Sequence, residues 1–279
     1  MKNNSINKIS KILDEFLRDM KSSNKARNTI VNYRSDLKKF MNNCPENIEN
    51  LNVEILRHHL DGLEYKSPTT KARHLSSLKK FLNWCYRKDL ISANPILKIE
   101  QKKQIPLPAL RKIEKIEIDR VLCSINIFNK NNQINKNNLK YRLIFTLMLE
   151  AGLKVYEALN IEYVNVEVET QTIFVTSSGE KRRIPLFSPE SIKLFRLYTD
   201  KMEIKSGLIF KGGESRESLS YQALNKFWRK QCAKINANIK LQQLRDCYAN
   251  ELIKKGINIY VISKMLGHKN LQTTVKYLQ

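Results

Sequence analysis

Leu266-Gly267-His268-Lys269-Asn270, then Leu271-Gln272-Thr273-Thr274 and Tyr277, is the stretch on which the reading of this chain turns. Taken singly, its residues say little. Gly267 marks a turn, His268 can cap the helix that follows, and a tyrosine such as Tyr277 is most often a packed aromatic. The spacing gains meaning beside three other segments. These are Ala151-Gly152-Leu153-Lys154-Val155-Tyr156-Glu157, the run from Thr172 to Leu186, and Leu241-Gln242-Gln243-Leu244-Arg245-Asp246.

The charge points to a polyanion. Fifty Lys and Arg against 27 Asp and Glu leave +23 over 279 residues. Residues 1–111 carry +11 and the remainder +12, so the excess lies in both halves rather than in a tail. Two basic domains suggest a clamp on nucleic acid. A solubility surplus or an AT-rich coding bias behind the many Lys and Asn residues is the bland alternative. No long apolar run or basic amphipathic anchor argues for a membrane. The five cysteines (Cys44, Cys85, Cys123, Cys232, Cys247) are scattered and odd in number, without a Cys-x-x-Cys pair. That pattern argues against a disulfide framework and a zinc site, and no apolar signal opens the chain, so the expected compartment is the cytoplasm.

Residues 8–95 read as helices. Asn28-Thr29 can cap a helix with Ile30, Tyr33, Leu37, Phe40 and Met41 on one face. Ser67-Pro68-Thr69-Thr70 opens another, with Leu75, Leu78, Phe81, Leu82 and Cys85 inward and Lys71, Arg73, Lys79 and Lys80 outward. Those four cations are either a solvated face or, beside a capped helix start, phosphate contacts. Asn94-Pro95 closes the helical region, and residues 96–111, with Pro106 and Pro108, read as a linker. Helix resumes near Ile113. The apolar run Leu139 to Leu149 stops at Ala151-Gly152, and Lys154 to Leu159 forms the next helix. Thr172-Ile173-Phe174-Val175 is a β-type run, Ser177-Ser178-Gly179-Glu180 a turn, and Arg182-Arg183-Ile184-Pro185-Leu186 a returning edge strand. Residues 188–203, 219–235 and 242–277 are mostly helical, and residues 129–138 form an Asn/Lys-rich loop.

Over nearly its whole length this layout resembles the tyrosine recombinases, the phage integrases and Xer proteins. The likeness is carried by the Leu266-Gly267-His268 box with Tyr277, by Thr29…Tyr33…Asp36-Leu37…Phe40 and the Asn94-Pro95 exit. It implies a mainly α fold with a small antiparallel hairpin. A helical core-binding domain would span 1–95, a linker 96–111 and a mixed α/β catalytic domain 112–279. In the family, arginines clamp the non-bridging oxygens of a phosphodiester, whose charge grows at the transition state. A hairpin lysine protonates the leaving 5′ oxygen. The tyrosine forms a covalent 3′-phosphotyrosine that stores the bond for rejoining. Neither metal nor ATP is needed.

The resemblance makes Tyr277 the nucleophile, His268 a donor to the phosphate and Arg245 the second arginine. Arg245 could instead pair with Asp246 or another acid. Three positions depart from the family pattern. Lys154 stands where the first arginine is expected; it keeps the charge but not the two-pronged grip. Gln242 replaces a histidine; it can donate a hydrogen bond but cannot shuttle a proton. Ser177 occupies the place of the hairpin lysine, leaving Lys181 as the candidate acid or as a backbone contact. Arg182 and Arg183 join Lys71, Arg73, Lys79 and Lys80 as candidate DNA contacts. The expected partners are double-stranded DNA and further recombinase subunits in a synaptic tetramer, in a cytoplasmic, nucleoid-associated protein. Two functions stand open. One is a site-specific recombinase or integrase, a slow one where the departures at Lys154, Gln242 and Ser177 weaken the site. The other is a cleavage-deficient paralogue acting as a DNA-binding architectural or regulatory protein. A type IB topoisomerase relative is a third and weaker option.

Overall fold

The computed structural model describes residues 2–23, 25, 27–42, 45, 47–63, 65, 67–99, 112–177, 180–185, 188–213 and 217–278. Side chains are described for most of these, but not for residues 2–8, 27, 28, 177, 180–183 and 185. The chain divides into two compact units, Met1–Ala109 and Leu110–Gln279. It is mainly helical with one small antiparallel sheet. Residues 100–111, most of the expected linker, lie outside the described residues.

The first unit contains α1 (Lys2–Ser22), α2 (Arg27–Met41), α3 (Val53–Asp61) and α4 (Pro68–Arg87). Its core is built from the inward faces foreseen above. Leu37, Phe40, Leu78, Phe81, Leu82 and Cys85 are fully buried, and Phe16 of α1 meets Phe81 and Trp84 edge-on. Ser67 caps α4 by accepting from the Thr70 N–H at 3.2 Å, with Pro68 at the first helical position. Asn28-Thr29 is not a cap: α2 already begins at Arg27, so both residues fall in its first turn. Asn94 caps a short 3-10 turn, Pro95–Lys98, where the sequence suggested only an ending.

The second unit starts with α5 (Lys115–Cys123) and α6 (Lys136–Glu150). Nearly every residue of α6 from Leu139 to Leu149 is buried, which explains its continuous apolar run: a helix enclosed on all sides needs no polar face. The expected loop 129–138 is shorter than read, because α6 begins at Lys136 and Phe128 bridges Ile134. Gly152 turns the chain at φ +60 into α7 (Val155–Leu159). The sheet follows in the order β1 (Val166–Glu167), β2 (Thr172–Ser177), β3 (Glu180–Pro185), all antiparallel. β1 was not foreseen; two residues are too few to show alternation. Then come α8 (Pro189–Lys201), α9 (Tyr221–Lys234), α10 (Gln242–Lys254), α11 (Ile259–Leu266) and α12 (Gln272–Val275). The last three enclose a small core of Tyr248, Ala249, Leu252, Ile262, Leu266 and Tyr277. Among the described residues no helix is long and apolar enough to cross a membrane.

Candidate active site

Arg245 sits at the fourth position of α10 and is almost wholly buried, a placement that requires compensation for its charge. It has that compensation. Nη1 donates to the Gly152 carbonyl and Nη2 to the Leu266 carbonyl, each at 2.7 Å. The Glu157 carboxylate, itself buried, lies 3.8 Å from Nη1. The acid partner of Arg245 is therefore Glu157 and not the adjacent Asp246. Successive helix residues point about 100° apart, so neighbours in sequence do not face each other.

Two glycine turns make this possible. Gly152 (φ +60) and Gly267 (φ +63) each place a carbonyl, their own or their neighbour's, toward the guanidinium. A side chain at Gly152 would run into the Tyr248 ring, so glycine is required there for space as well as for backbone conformation.

Lys154 caps the start of α7. Its backbone N–H donates to Glu157 Oε2 at 2.9 Å, and its Nζ lies 3.3 Å from Glu157 Oε1 and 3.5 Å from the Gly267 carbonyl. One buried carboxylate thus holds both cations of the site. The Lys154 side chain is 39% exposed, in contrast to the buried Arg245.

His268 is tied at both ring nitrogens. Arg245 Nη2 lies 3.0 Å from Nε2, and since a guanidinium can only donate, Nε2 accepts. The ring proton is then on Nδ1, which donates to the buried Thr274 Oγ1 at 2.8 Å. His268 does not cap α12; its backbone N–H returns to the Ser263 carbonyl at the end of α11.

Tyr277 packs its ring in the α10–α12 core and is 8% exposed. Its hydroxyl donates to Asp246 Oδ1 at 2.6 Å. Burial, then the hydrogen bond and charge of Asp246, push the phenol well above its ordinary value, while Arg245 acts the other way. Lys276 Nζ stands 4.6 Å above the ring and 3.8 Å from Asp246. Lys154, Arg245 and His268 therefore form one contact network, and Tyr277 joins it through the residue beside Arg245. The arrangement brings two cations and a buried phenol close together, with Lys154 the most exposed of the three.

The other expected residues are less engaged. Gln242 is exposed at the first position of α10, one turn before Arg245. In the hairpin, Lys181 pairs across from Thr176, Arg182 from Val175 and Arg183 from Phe174; their side chains, like Ser177's, lie outside the described ones. In the first unit, Lys71 and Lys80 are exposed, with Lys71 over the Tyr65 ring at 5.5 Å, and Lys79 is half-buried. Arg73 differs. Its Nη1 is 2.5 Å from Oδ2 of the buried Asp36, which also accepts from Ser77 Oγ at 2.8 Å. Arg73 is an internal ion-pair partner on a face otherwise given to solvent. Glu157, Thr274 and Lys276 had no role assigned from sequence, and Asp246 was read only as a possible partner of Arg245. Glu157 and Thr274 were quoted there within their motifs, the first as the acid after Lys154 and the second as half of the Thr-Thr pair. Among the described residues, no cluster of three or more His, Cys, Asp or Glu side chains is placed to hold a metal ion.

Residues 120–279 match the phage integrase family and residues 13–89 the phage integrase N-terminal SAM-like domain. A tyrosine recombinase of Thermosipho africanus is 26% identical, over 98% of this chain and 95% of its own length. Tyrosine recombinase XerD of Lacticaseibacillus casei is 26% identical, over 90% of this chain and 87% of its own. Among solved structures, a lambda integrase (75-356) dimer bound to a COC' core site superposes with a TM-score of 0.76 at 15% identity, covering 97% of this chain and 95% of that one. The XerH site-specific recombinase, in a post-cleavage complex with its palindromic difH substrate, gives 0.74 at 19%, covering 95% and 79%. These likenesses show the fold.

Proposed function

The chain belongs to the phage integrase family of tyrosine recombinases, and on that premise we propose that it is a site-specific DNA recombinase that cuts and rejoins double-stranded DNA through Tyr277. The observation that carries the reading is the Arg245 guanidinium. It gathers the turns at Gly152 and Leu266, Glu157 and the His268 ring into one site, beside the residue that holds the Tyr277 hydroxyl.

In this reading a scissile phosphate docks on Arg245 and Lys154, whose charges offset the charge of the pentavalent transition state. Tyr277 Oη bonds to phosphorus, the 5′ oxygen leaves with a proton from Lys181, and the 3′-phosphotyrosine persists until a 5′ hydroxyl reverses the step. Gln242, from one turn away, adds a hydrogen bond to a non-bridging oxygen, while His268, held by Thr274, accepts from Arg245 Nη2 and fixes the guanidinium that meets the phosphate. Residues 1–95 serve as the core-binding domain and 112–279 as the catalytic domain. Lys71, Lys79, Lys80, Arg182 and Arg183 contact phosphates, while Arg73 orders its helix through Asp36. The protein acts in the cytoplasm on nucleoid DNA, with further subunits completing a tetrameric synapse. One observation favours a second reading, a DNA-binding paralogue without cleavage: the cation at position 154 is a lysine, and a single-pronged donor grips an oxyanion less well than a fork.

The test is a suicide substrate. A duplex selected from a randomised pool for binding, nicked close to the cleavage position, is incubated with protein and resolved on a denaturing gel. The recombinase reading expects a covalent protein–DNA band that Tyr277→Phe abolishes. A sequence-specific gel shift with no such band at any protein concentration establishes the second reading instead.

A further inference from the structure

The attack requires the Tyr277 phenol to lose a proton, and the group in contact with that proton is Asp246. We propose that Asp246 is the general base of strand cleavage, and the general acid of rejoining, through its contact with the Tyr277 hydroxyl. The inference rests on the reading of Tyr277 as the nucleophile.

Four observations support it. The 2.6 Å separation is that of an O–H donating to a charged carboxylate. Asp246 is the residue after Arg245 on α10, so the same rigid turn carries the acceptor of the tyrosine proton and the clamp of the phosphate. His268 is not the base in this arrangement, because Nε2 is occupied by Arg245 and Nδ1 faces Thr274. Lys276, 3.8 Å from Asp246 and above the Tyr277 ring, offsets negative charge on whichever oxygen carries it. The shifted phenol adds a reason: a tyrosine held above its ordinary value is protonated before attack, so the proton must leave during the step itself.

The step balances. The Tyr277 Oη–H bond breaks as Oη–P forms, and the proton passes to Asp246 Oδ1. The P–O5′ bond breaks, and the 5′ oxygen takes a proton from Lys181. In rejoining, the 5′ hydroxyl gives its proton to Lys181, and Asp246 returns its own to Tyr277 as the tyrosine leaves. The charged groups bearing on the hydroxyl are Asp246 and Arg245 of α10 and Lys276 on its own segment, with His268 and Lys154 beyond Arg245.

Adduct formation on the nicked duplex is measured for the wild type, Asp246→Asn and Tyr277→Phe, alongside gel-shift affinity and melting temperature. The expected result is DNA binding within a few-fold of wild type, with adduct formation roughly 10²- to 10⁴-fold slower in Asp246→Asn. The variant's rate should climb about tenfold per pH unit as solvent hydroxide takes over, a steeper climb than the wild type's. A substrate with a bridging 5′ sulfur, which leaves without a proton, should not restore Asp246→Asn but should restore Lys181→Ala. If Asp246→Asn unfolds, Asp246→Ala with added formate replaces it, and recovery of adduct with formate supports the base. An Asp246→Asn enzyme that cuts as fast as wild type overturns the proposal. One that cuts faster shows instead that the contact restrains the tyrosine. If the wild type itself forms no adduct, the recombinase reading fails and takes this inference with it; a wild-type adduct with an indifferent Asp246→Asn sinks this inference alone.

Discussion

Lys154→Arg is expected to accelerate strand cleavage. Lys154 Nζ carries three donors, two of them directed at Glu157 Oε1 (3.3 Å) and the Gly267 carbonyl (3.5 Å). At most one is left for a phosphate oxygen. An arginine has five donors in a planar fork, so it can keep both existing partners and still offer a parallel pair to the anion. The side chain is 39% exposed, which leaves room for the larger head group. One added donor, effective only as charge builds at phosphorus, is worth roughly 2.7–4 kcal/mol, or about 10²- to 10³-fold in rate. The gain belongs to the transition state, so DNA affinity should change little. Single-turnover adduct formation on the nicked duplex, with gel-shift titration in parallel, separates the two effects. The reasoning is refuted by a Lys154→Arg protein that folds, binds as wild type does and cleaves no faster, or by a gain that appears wholly as tighter binding.

Gly152→Ala should destabilise the second unit by about 2–5 kcal/mol, combining the left-handed backbone with the collision against Tyr248, and calorimetry should show melting lowered by roughly 5–15 °C. Arg245→Ala should cost about 3–5 kcal/mol, because it strips Glu157 of a buried cation and leaves the Gly152 and Leu266 carbonyls without a donor; unchanged denaturant unfolding would contradict that placement. The first unit should weaken in mild acid. His59, whose Nε2 lies 3.2 Å from His74 Nε2 in the core, is pushed from the ordinary 6.5 to about 4, first by burial and then by His74. The unfolded chain therefore binds a proton that the folded unit refuses, and stability is lost as pH falls from about 6.5 to about 4, by about 3 kcal/mol at most. Trp84 fluorescence in a Trp228→Phe background reports that unit, and a melting temperature independent of pH over this window would count against it. DNA affinity should drop steeply as salt rises, through counterion release, and a flat gel-shift series from low to high salt would rule out extensive phosphate contact.

The architecture was legible where one face or one residue type is forced. The inward faces of α2 and α4 follow from helical spacing, Gly152 marks a helix stop because it turns left-handed, and the hairpin strands follow from β-type runs about a turn. Arg245, His268 and Tyr277 are singled out together only through the family resemblance; in the structure Arg245 and His268 touch, and Tyr277 is held by Asp246. That wiring was not legible. Asp246 reads as a partner for Arg245 in sequence, yet the helix turns it toward a tyrosine 31 positions away. Arg73 reads as a surface charge, yet it closes on an acid 37 positions back. Such pairs are fixed by the packing of helices from distant segments, and spacing within one helix carries no trace of them. The Asn28 cap failed for the opposite reason: the backbone began its helix at Arg27, one residue ahead of the capping signal.

The bonds from Arg245 to the carbonyls of Gly152 and Leu266 join stretches 93 and 21 positions from it. A nascent polypeptide still emerging from the ribosome has the arginine long before it has the turn at Leu266. Until that stretch folds back, the guanidinium has Gly152 and Glu157 on one side but lacks the Leu266 carbonyl and the His268 ring on the other. Completion of the Arg245 pocket is thereby tied to the docking of residues 266–277 onto helices made earlier.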